Sequence, residues 1–495
     1  MSDAHWYTDA VFAHVRVRSF RDGNGDGVGD FAGLREALPY LESLGITAIW
    51  LMPMYPSPLV DDGYDVADYT AIHPDLGTLA DFDAFVAAAH ARGMRVVADL
   101  VLNHTSDEHP WFVESRASRE SERRDWYVWS DSDAKYAGVH RMFEGAETSN
   151  WAWDEGTRQW WWHRFYARQP DLNWDHPAVM DAMFEVMAFW CERGVDGFRV
   201  DAVPYLVERE GTSCENLPET HAVMRELRRR LDARFADRVL IGEAGMQPRD
   251  LRAYFGDGDE CHMAFQFALA PALLLALARA DRTPLDRLLA ATPALPAGGQ
   301  WALFLRSHDE LTLAFLPTPE RDELLAAYAP GPHDRLWRGI RRRLLPLLGG
   351  DVRRARLLFS LLFALPGTPF LYYGDELGMG DDPTRPDRDG LRLPMPWDEA
   401  AAQDADPGSL LNAVRALARE RARLGVFGRG ACDALELPGE TAAVFACVRT
   451  LGEQRVVVLA NFAAAPASVA VGGREVALGP YAYEWLEIPP GAPLR

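Results

Sequence analysis

The stretch GVDGFRVDA, Gly194–Ala202, indicates the fold more directly than any other part of the sequence. It contains a largely apolar run that bears two charged side chains, Arg199 and Asp201. Helix-like stretches lie on both sides of it, at Pro177–Arg193 and Glu219–Phe235. A strand placed between two helices is typical of a parallel sheet that is covered by helices.

Similar strand patterns occur along most of the chain and alternate with helical patterns. The candidate strands are Ala10–Phe20, Ile46–Pro53, Met94–His104, Gly197–Val203, Val239–Ala244, His262–Phe267, Trp301–His308 and Thr368–Glu376. Their number matches an α/β fold of the closed TIM (β/α)8 barrel type. A doubly wound open sheet is the alternative. It is less favoured because no glycine-rich phosphate-binding turn follows an early strand.

Two segments interrupt this alternation and predict additional domains. Residues 105–175 have no repeating pattern but are rich in tryptophan, which indicates an inserted subdomain B rather than a plain loop. Residues 399–495 contain a helix and then short β patterns, which indicate a C-terminal β-sandwich domain. The barrel is therefore predicted to comprise residues 1–104 and 176–398.

The composition restricts the class of partner. Of the 495 residues, 48% are hydrophobic and 25% charged, as in globular proteins. The 51 basic and 73 acidic side chains give a formal net charge of −22 at pH 7. Such a chain is repelled by phosphate backbones and anionic membranes. We expect a small-molecule substrate and no nucleic-acid or membrane partner, while homo-oligomer formation stays open.

The sequence also predicts a cytoplasmic location. The longest apolar stretches, His262–Arg279 and Arg356–Asp375, are interrupted by polar residues or prolines, and a membrane span needs roughly 20 continuous apolar residues. The first residues have neither the cationic start nor the apolar core of a signal peptide. The 5 cysteines are scattered without CxxC spacing, which indicates reduced thiols.

Charged and polar side chains stand at the ends of four predicted strands. They are Asp99, Asn103 and His104, then Arg199 and Asp201, then Glu243, and finally His308 and Asp309. In a parallel barrel the carboxyl ends of the strands meet at one rim, where catalytic groups gather. Any one of these residues is more often a capping or hydrogen-bonded polar residue, but coincidence does not readily explain their joint placement.

Two of the carboxylates are suited to complementary roles. Arg199 and Asp201 are two residues apart on a strand, so both side chains leave the same face. A guanidinium should lower the pKa of Asp201 and favour a nucleophile, whereas burial among apolar neighbours should raise the pKa of Glu243 and favour a proton donor. Such a pair is what retaining glycoside chemistry requires.

Six ordered motifs resemble the signature regions of the α-amylase superfamily, glycoside hydrolase family 13. They are DLVLNHTS (99–106), QPDLNW (169–174), GVDGFRVDA (194–202), GEA (242–244), SHDE (307–310) and GTPFLYYGDELGM (367–379). The resemblance implies Asp201 as nucleophile, Glu243 as acid/base and Asp309 as the carboxylate that stabilises the transition state. The residues it implies for substrate binding are Asp61, Tyr64, His104, Arg199, His308 and Arg388. Glu310 could add a contact to the leaving sugar, or it could be a surface carboxylate.

Longer stretches at 147–154, 208–221 and 255–265 resemble one branch of this superfamily. Its members isomerise maltose to trehalose by intramolecular transfer of a glucosyl unit through a covalent intermediate, with some hydrolysis. The first alternative is an exo-acting α-glucosidase that uses the same residues. A carbohydrate-binding module without catalysis is a second alternative, but a binding module has no need of the complete set of three carboxylates.

Two groups of oxygen-bearing residues predict divalent cations. In DGNGDGVGD, side chains of Asp22, Asn24, Asp26 and Asp30 alternate with glycines as in the start of an EF-hand loop, but no glutamate closes the loop. A plain Asp/Gly turn is the alternative. The resemblance favours a cation, calcium or else magnesium, with the Val28 carbonyl as a further ligand. It implies a second calcium site formed by Asn103, Asp171, Tyr205, Leu206 and Glu208. No organic cofactor is expected.

Overall fold

The computed structural model describes residues 5–143, 145–438 and 441–494, so the first four residues and the last residue of the predicted domains lie outside it. Eight parallel strands form a closed barrel. In chain order they are Phe12–Val15, Ala48–Leu51, Arg95–Val101, Gly197–Asp201, Val239–Gly242, Met263–Phe265, Gln300–Phe304 and Thr368–Tyr372. Each pairs with the next along the chain, and the eighth pairs with the first. The predicted TIM barrel is confirmed.

Every strand is shorter than its sequence pattern suggested. The first ends at Val15, and Val17–Phe20 form a short helix where the pattern predicted continued strand. Other excess residues, such as Val11 before the first strand and Leu102 and Leu305 after later ones, are buried in the adjoining turns. Inside the barrel, Phe12, Trp50 and Phe370 are among the aromatic side chains that fill the interior. The barrel is thus a packed core, and its chemistry is confined to the rim.

Helices surround the barrel and cover the C-terminal sheet. Their bounds are Val17–Phe20, Phe31–Glu36, Leu38–Ser43, Leu79–His90, Pro110–Ala117, Pro177–Glu192, Pro218–Arg234, Pro248–Leu251, Leu269–Arg279, Thr283–Ala291, Thr318–Tyr328, Leu344–Leu347, Val352–Ala364, Trp397–Ala405, Leu410–Leu424 and Val426–Arg429. Several begin with proline, which has no N–H to leave unpaired at a first helical position. Within the described parts of the chain, none is long and apolar enough to cross a bilayer.

The insert after the third barrel strand contains a helix and a small sheet, some of whose buried apolar side chains join the same cluster as those of the barrel. The helix Pro110–Ala117 packs beside a three-stranded antiparallel sheet. The strands are Trp129–Ser130, Gln159–Trp162 and Trp151–Asp154, in spatial order. Trp161 and Trp162 are buried in this sheet. Of the consecutive residues Trp160, Trp161 and Trp162, the last two therefore provide core, and the first is partly buried.

The C-terminal region is an antiparallel β domain, as predicted. A four-stranded sheet contains Ala431–Ala434, Val444–Leu451, Gln454–Asn461 and Tyr483–Ile488, and a hairpin contains Ala467–Val471 and Arg474–Leu478. Apolar side chains of both sheets pack into one cluster. The strands Ala431–Ala434 and Arg474–Leu478 were not predicted, because their alternation contains too few apolar residues to be distinguished from loop.

A small sheet at the barrel rim positions one wall of the site. Leu311–Thr312 pairs with Gly339–Ile340, which in turn pairs with Arg335–Leu336. These strands are only two residues long. The sheet begins immediately after Asp309 and Glu310, so the hairpin 335–340 is tied directly to the end of the seventh barrel strand.

Candidate active site

The ends of the barrel strands surround a cavity of about 390 Å³ at the rim. This volume is in the range that binds small molecules. All three carboxylates predicted to be catalytic line it: Asp201, Glu243 and Asp309. Six of the seven predicted substrate-binding residues also line it: Asp61, Tyr64, His104, Arg199, Glu310 and Arg388. The seventh, His308, lies beneath it in contact with Tyr64 and Asp309.

Arg199 is the centre of the buried charge network. Its Nη1 donates to Asp201 Oδ1 in a short contact and to Asp99 Oδ1 at 2.9 Å. Its Nη2 lies 3.7 Å from Glu243 Oε2. One guanidinium thus holds three carboxylates from consecutive barrel strands in a fixed arrangement, because its planar fork of donors permits several simultaneous contacts.

The backbone after Asp201 positions Glu243. Ala202 has φ of 49°, a left-handed conformation that is unfavourable for a residue with a Cβ. In this conformation its N–H donates to Glu243 Oε2 at 3.0 Å. Backbone strain of this kind persists where the surroundings enforce it, and such positions cluster at functional sites. The turn therefore links the two carboxylates on which a retaining mechanism depends.

A second set of contacts orders the floor of the cavity. The Tyr64 hydroxyl donates to Asp99 Oδ2 at 3.0 Å and lies 2.8 Å from His308 Nε2. The same nitrogen lies 2.9 Å from Asp309 Oδ2. Burial lowers the pKa of His308, and a carboxylate can only accept, so the neutral imidazole has its proton on Nε2 and donates towards Asp309.

Arg388 lines another part of the cavity and joins two of its carboxylates. It donates to Asp309 Oδ1 at 2.8 Å through Nη1 and to Asp61 Oδ1 through Nη2. Gln169 donates to Asp61 Oδ2 at 3.1 Å and lies 3.1 Å from His104 Nε2. Sequence reasoning missed the role of Gln169, although it lies within the QPDLNW motif. The motif alone does not show that the Gln169 amide contacts Asp61 and His104, because both partners are distant along the chain.

Arg392 and Asp62 are two further residues that sequence reasoning missed. Arg392 donates to Asp309 Oδ1 at 3.1 Å and to the His308 carbonyl at 3.1 Å. It also lies 3.0 Å from Asp62 Oδ2, and Asp62 pairs in turn with Arg16. These ion pairs join the first barrel strand to the loop after the eighth. No local signal in the sequence predicts them, because the partners are distant along the chain.

The pKa values confirm one of the two sequence-based expectations. Burial raises the pKa of Glu243, as predicted. Asp201 was expected to have a lowered pKa and does not: burial raises its pKa well above the usual range, Arg199 lowers it by less, and the charges of Glu243 and Asp99 raise it further. One guanidinium is insufficient to neutralise three carboxylates out of contact with bulk water.

Asp309 differs from the other two carboxylates. Burial alone would raise its pKa, but His308, Arg388 and Arg392 together lower it well below its usual range. The side chains of Asp201, Glu243 and Asp309 are 12%, 24% and 31% exposed, whereas that of Asp99 is sealed at 0%. The three predicted catalytic carboxylates are therefore reachable from the cavity, and Asp99 has a supporting position behind them.

Three side chains, which we call the cover, form the outer wall of the cavity: His140 and Phe143 of the insert, and Trp337 of the hairpin 335–340. His140 Nδ1 lies 3.0 Å from Glu215 Oε1, and Glu215 also pairs with the buried Arg164. The rings of Phe143 and Trp337 stack at 4.6 Å with an interplanar angle of 18°. The insert was predicted from the sequence, whereas nothing in the sequence indicated the hairpin 335–340.

The predicted calcium ligands Asn103, Asp171 and Glu208 converge between barrel and insert. Asn103 Oδ1 and Asp171 Oδ2 are buried and accept no hydrogen bond. Burial, followed by the charge of Asp171, raises the pKa of Glu208 well above its usual range. Orphaned oxygens beside two buried carboxylates suit a hard divalent cation. Tyr205 and Leu206 lie in the turn that precedes Glu208.

The predicted cation loop is an exposed turn whose side chains are hydrogen-bonded within the loop. Asp22 accepts the N–H groups of Gly25 and Gly27 at 2.6 and 2.7 Å, and Asn24 Oδ1 accepts that of Asp26 at 2.9 Å. Asp26 accepts from Val28, and Asp30 caps the helix Phe31–Glu36. Across the described ranges, no three His, Cys, Asp or Glu side chains form a metal-type cluster by themselves. Both predicted cation sites therefore depend on amide or carbonyl oxygens as well.

Comparison with known proteins identifies the class of protein. Residues 14–408 match the family model described as alpha amylase, catalytic domain. The chain belongs to the alpha-amylase family. It is 50% identical over 491 residues to a trehalose synthase of Thermus thermophilus, an alignment that covers 93% of this chain and 50% of that protein.

One further relative is also named a trehalose synthase, and one solved structure is similar to the chain. The chain is 50% identical over 416 residues to the trehalose synthase/amylase TreS of Mycolicibacterium smegmatis, covering 83% of this chain and 70% of that one. It is similar in structure to the trehalulose synthase MutB of Pseudomonas mesoacidophila MX-45, with a TM-score of 0.79, 26% identity, and coverage of 97% and 99%. The chain spans half the length of the Thermus relative.

Proposed function

We propose that the chain isomerises maltose to trehalose by intramolecular glucosyl transfer. The proposal rests mainly on the covered cavity in which Arg199 holds Asp201 and Glu243 together. The chain is also 50% identical to proteins named trehalose synthase. A retaining enzyme needs a nucleophile and an acid on one glucosyl unit. An isomerase must also retain the sugar that leaves, and the cover supplies an enclosure for it.

The first step assigns different roles to the coupled carboxylates. Arg199 donates a hydrogen bond directly to Asp201 but lies 3.7 Å from Glu243, so the ionised form is favoured at Asp201. Burial raises the pKa of Glu243, which suits it to carry the proton that is donated. Asp201 attacks the anomeric carbon as Glu243 protonates the oxygen of the departing glucose, which leaves a glucosyl–aspartate ester.

The remaining residues hold the glucosyl unit during this step. Asp309, ionised because of its cationic neighbours, accepts hydrogen bonds from sugar hydroxyls and stabilises positive charge at the anomeric carbon. Asp61 and Arg388 bind the far end of the ring, and His104 binds its edge. Tyr64, stacked on His308 at 5.5 Å, supplies an apolar surface beneath the sugar.

In the second step the released glucose reorients and returns through its own anomeric hydroxyl. Glu243, now a carboxylate, accepts the proton of that hydroxyl, the new bond forms at the glucosyl carbon, and Asp201 is released. Glu310 faces the cavity beside Asp309 and would contact the rotating sugar. Entry of water before this step yields two glucose molecules, so exclusion of water determines the product.

The test is incubation of the chain with maltose and identification of the products by NMR. We expect trehalose to accumulate together with a smaller amount of glucose. Release of two glucose molecules per maltose with no trehalose at any time point would instead establish the exo-acting α-glucosidase. A chain that binds maltose without changing it would be a binding module.

We also propose that divalent cations stabilise the fold. Calcium held by Asn103, Asp171 and Glu208, with carbonyls of Tyr205 and Leu206, would neutralise the buried carboxylates and fix the insert to the barrel. The orphaned oxygens of Asn103 and Asp171 support this site. Calcium or magnesium in the Asp22–Asp30 loop would bind the four alternating side chains and the Val28 carbonyl, as the sequence spacing suggests. Neither cation takes part in the chemical steps.

A cytoplasmic location completes the proposal. All 5 cysteines are free thiols. Thiols persist in a reducing compartment, whereas secreted proteins commonly contain disulfides. Fractionation of the source cells with an antibody to the chain would locate it.

A further inference from the structure

The contact between Phe143 and Trp337 joins the insert to the hairpin 335–340. Phe143 belongs to the insert, where it also packs on Phe165 at 5.6 Å and Tyr166 at 4.5 Å. Trp337 lies at the turn of the hairpin 335–340, which is paired to the residues following Asp309. Both rings line the cavity. Their stack therefore bridges the cavity mouth from one wall to the other.

The stack lies directly over the binding network. The Arg388 guanidinium is 5.2 Å from the centre of the Trp337 ring and 5.5 Å from that of Phe143. Arg388 is in turn bonded to Asp61 and Asp309. Separation of the two rings would open this wall and expose the cation and both carboxylates to water.

The backbone of Trp337 is held in an unfavourable conformation. Its φ is 48°, in the left-handed region that a bulky side chain rarely adopts. The turn of the hairpin does not require an aromatic residue. A glycine or asparagine would adopt this backbone conformation with less strain. Strained residues that persist beside a cavity are typical of ligand clamps and closing elements.

We propose that Trp337 determines the product by clasping Phe143 while the glucosyl–Asp201 ester exists. The proposal rests on the proposed isomerase function. The clasp opens to admit maltose and closes over the ester and the free glucose. Its strength sets the ratio of transfer to hydrolysis, and Trp337 takes no part in bond making or breaking.

The test compares initial rates of glucose and trehalose formation from maltose in full-length variants. Trp337→Ala should raise the glucose-to-trehalose ratio about fivefold, corresponding to about 1 kcal/mol, the scale of one aromatic pair. Trp337→Phe should keep the ratio near that of the unaltered chain, because the ring stack is rescued. Phe143→Leu should raise the ratio as Trp337→Ala does, and the double variant should raise it no further, because both single changes break the same contact.

Two controls keep the outcome interpretable. Trp153→Ala removes an exposed tryptophan of the same insert and should leave the ratio unchanged. Trp337→Asn removes the ring while tolerating the left-handed backbone, and it replaces the alanine variant if that variant fails to fold.

The possible failures are distinguishable. If the unaltered chain forms trehalose but the ratio stays constant in Trp337→Ala and Trp337→Asn, Trp337 is not a clasp, even if KM for maltose rises as expected for a simple sugar-stacking platform. Additive effects in the double variant would also overturn the proposal. If the unaltered chain forms no trehalose, the proposed function fails, and the clasp fails with it.

Discussion

The floor and the cover of the cavity are built on different physical principles. On the floor, Arg199 contacts three carboxylates and Asp309 contacts two arginines within one buried network. In the cover, one ring stack and one partly exposed His140–Glu215 pair join elements of little regular structure. The floor therefore specifies the chemistry strongly, while the cover specifies the product through small free energies.

The largest effect should follow a change of charge on the floor. Asp201→Asn keeps the shape but removes the attacking carboxylate, so turnover of maltose should fall by about three orders of magnitude or more. Maltose binding should survive, as measured by calorimetry, and an exposed control, Asp232→Asn, should have normal activity. Near-normal turnover of the Asp201→Asn variant would refute the assignment of the floor.

Removal of the proton donor should produce a similarly large but selective loss. Because the pKa of Glu243 is raised, activity should fall as pH rises through that pKa, above the ordinary glutamate range, and Glu243 should lose its proton there. Glu243→Gln should abolish this basic limb and reduce maltose turnover about 10²–10⁴-fold. It should still form the ester from α-glucosyl fluoride, whose leaving group needs no proton. If activity still falls at high pH in Glu243→Gln, a group other than Glu243 causes that fall.

Cation removal should affect the junction between floor and cover rather than the chemistry. A cation bound only by the native state stabilises it by mass action, so chelation should lower the melting temperature by about 4 °C or more. Asp171→Ala should remove most of that response. Asp22→Ala should show how much of the change in melting temperature comes from the Asp22–Asp30 loop. Identical melting curves with calcium and with chelator would contradict both cation sites.

The smallest effect should come from the exposed pair of the cover. His140→Ala removes a half-exposed partner of Glu215, while the buried Arg164 still holds that carboxylate. Pairs of this kind contribute about 0–1 kcal/mol. The glucose-to-trehalose ratio should therefore change less than about threefold, and kcat should be nearly unaffected. A large fall in kcat would show that His140 contributes to the chemistry and not only to the cover.

The sequence predicted the floor far better than the cover. Arg199, Asp201 and Glu243 lie at strand ends, where local periodicity and the geometry of a barrel suffice to bring them together. The pKa of Asp201 was not predictable, because it depends on how many carboxylates share one guanidinium. Phe143 and Trp337 belong to separate segments without repeating patterns, and only the folded chain shows that they touch.

Intramolecular isomerisation requires that the released glucose never leaves the covered cavity. The most direct test is conversion of unlabelled maltose in the presence of excess ¹³C-glucose, with the trehalose examined by NMR. If the exchange is intramolecular, as proposed, trehalose forms while scarcely any label enters it. Trehalose labelled in proportion to the external glucose would contradict the account and indicate an open transferase.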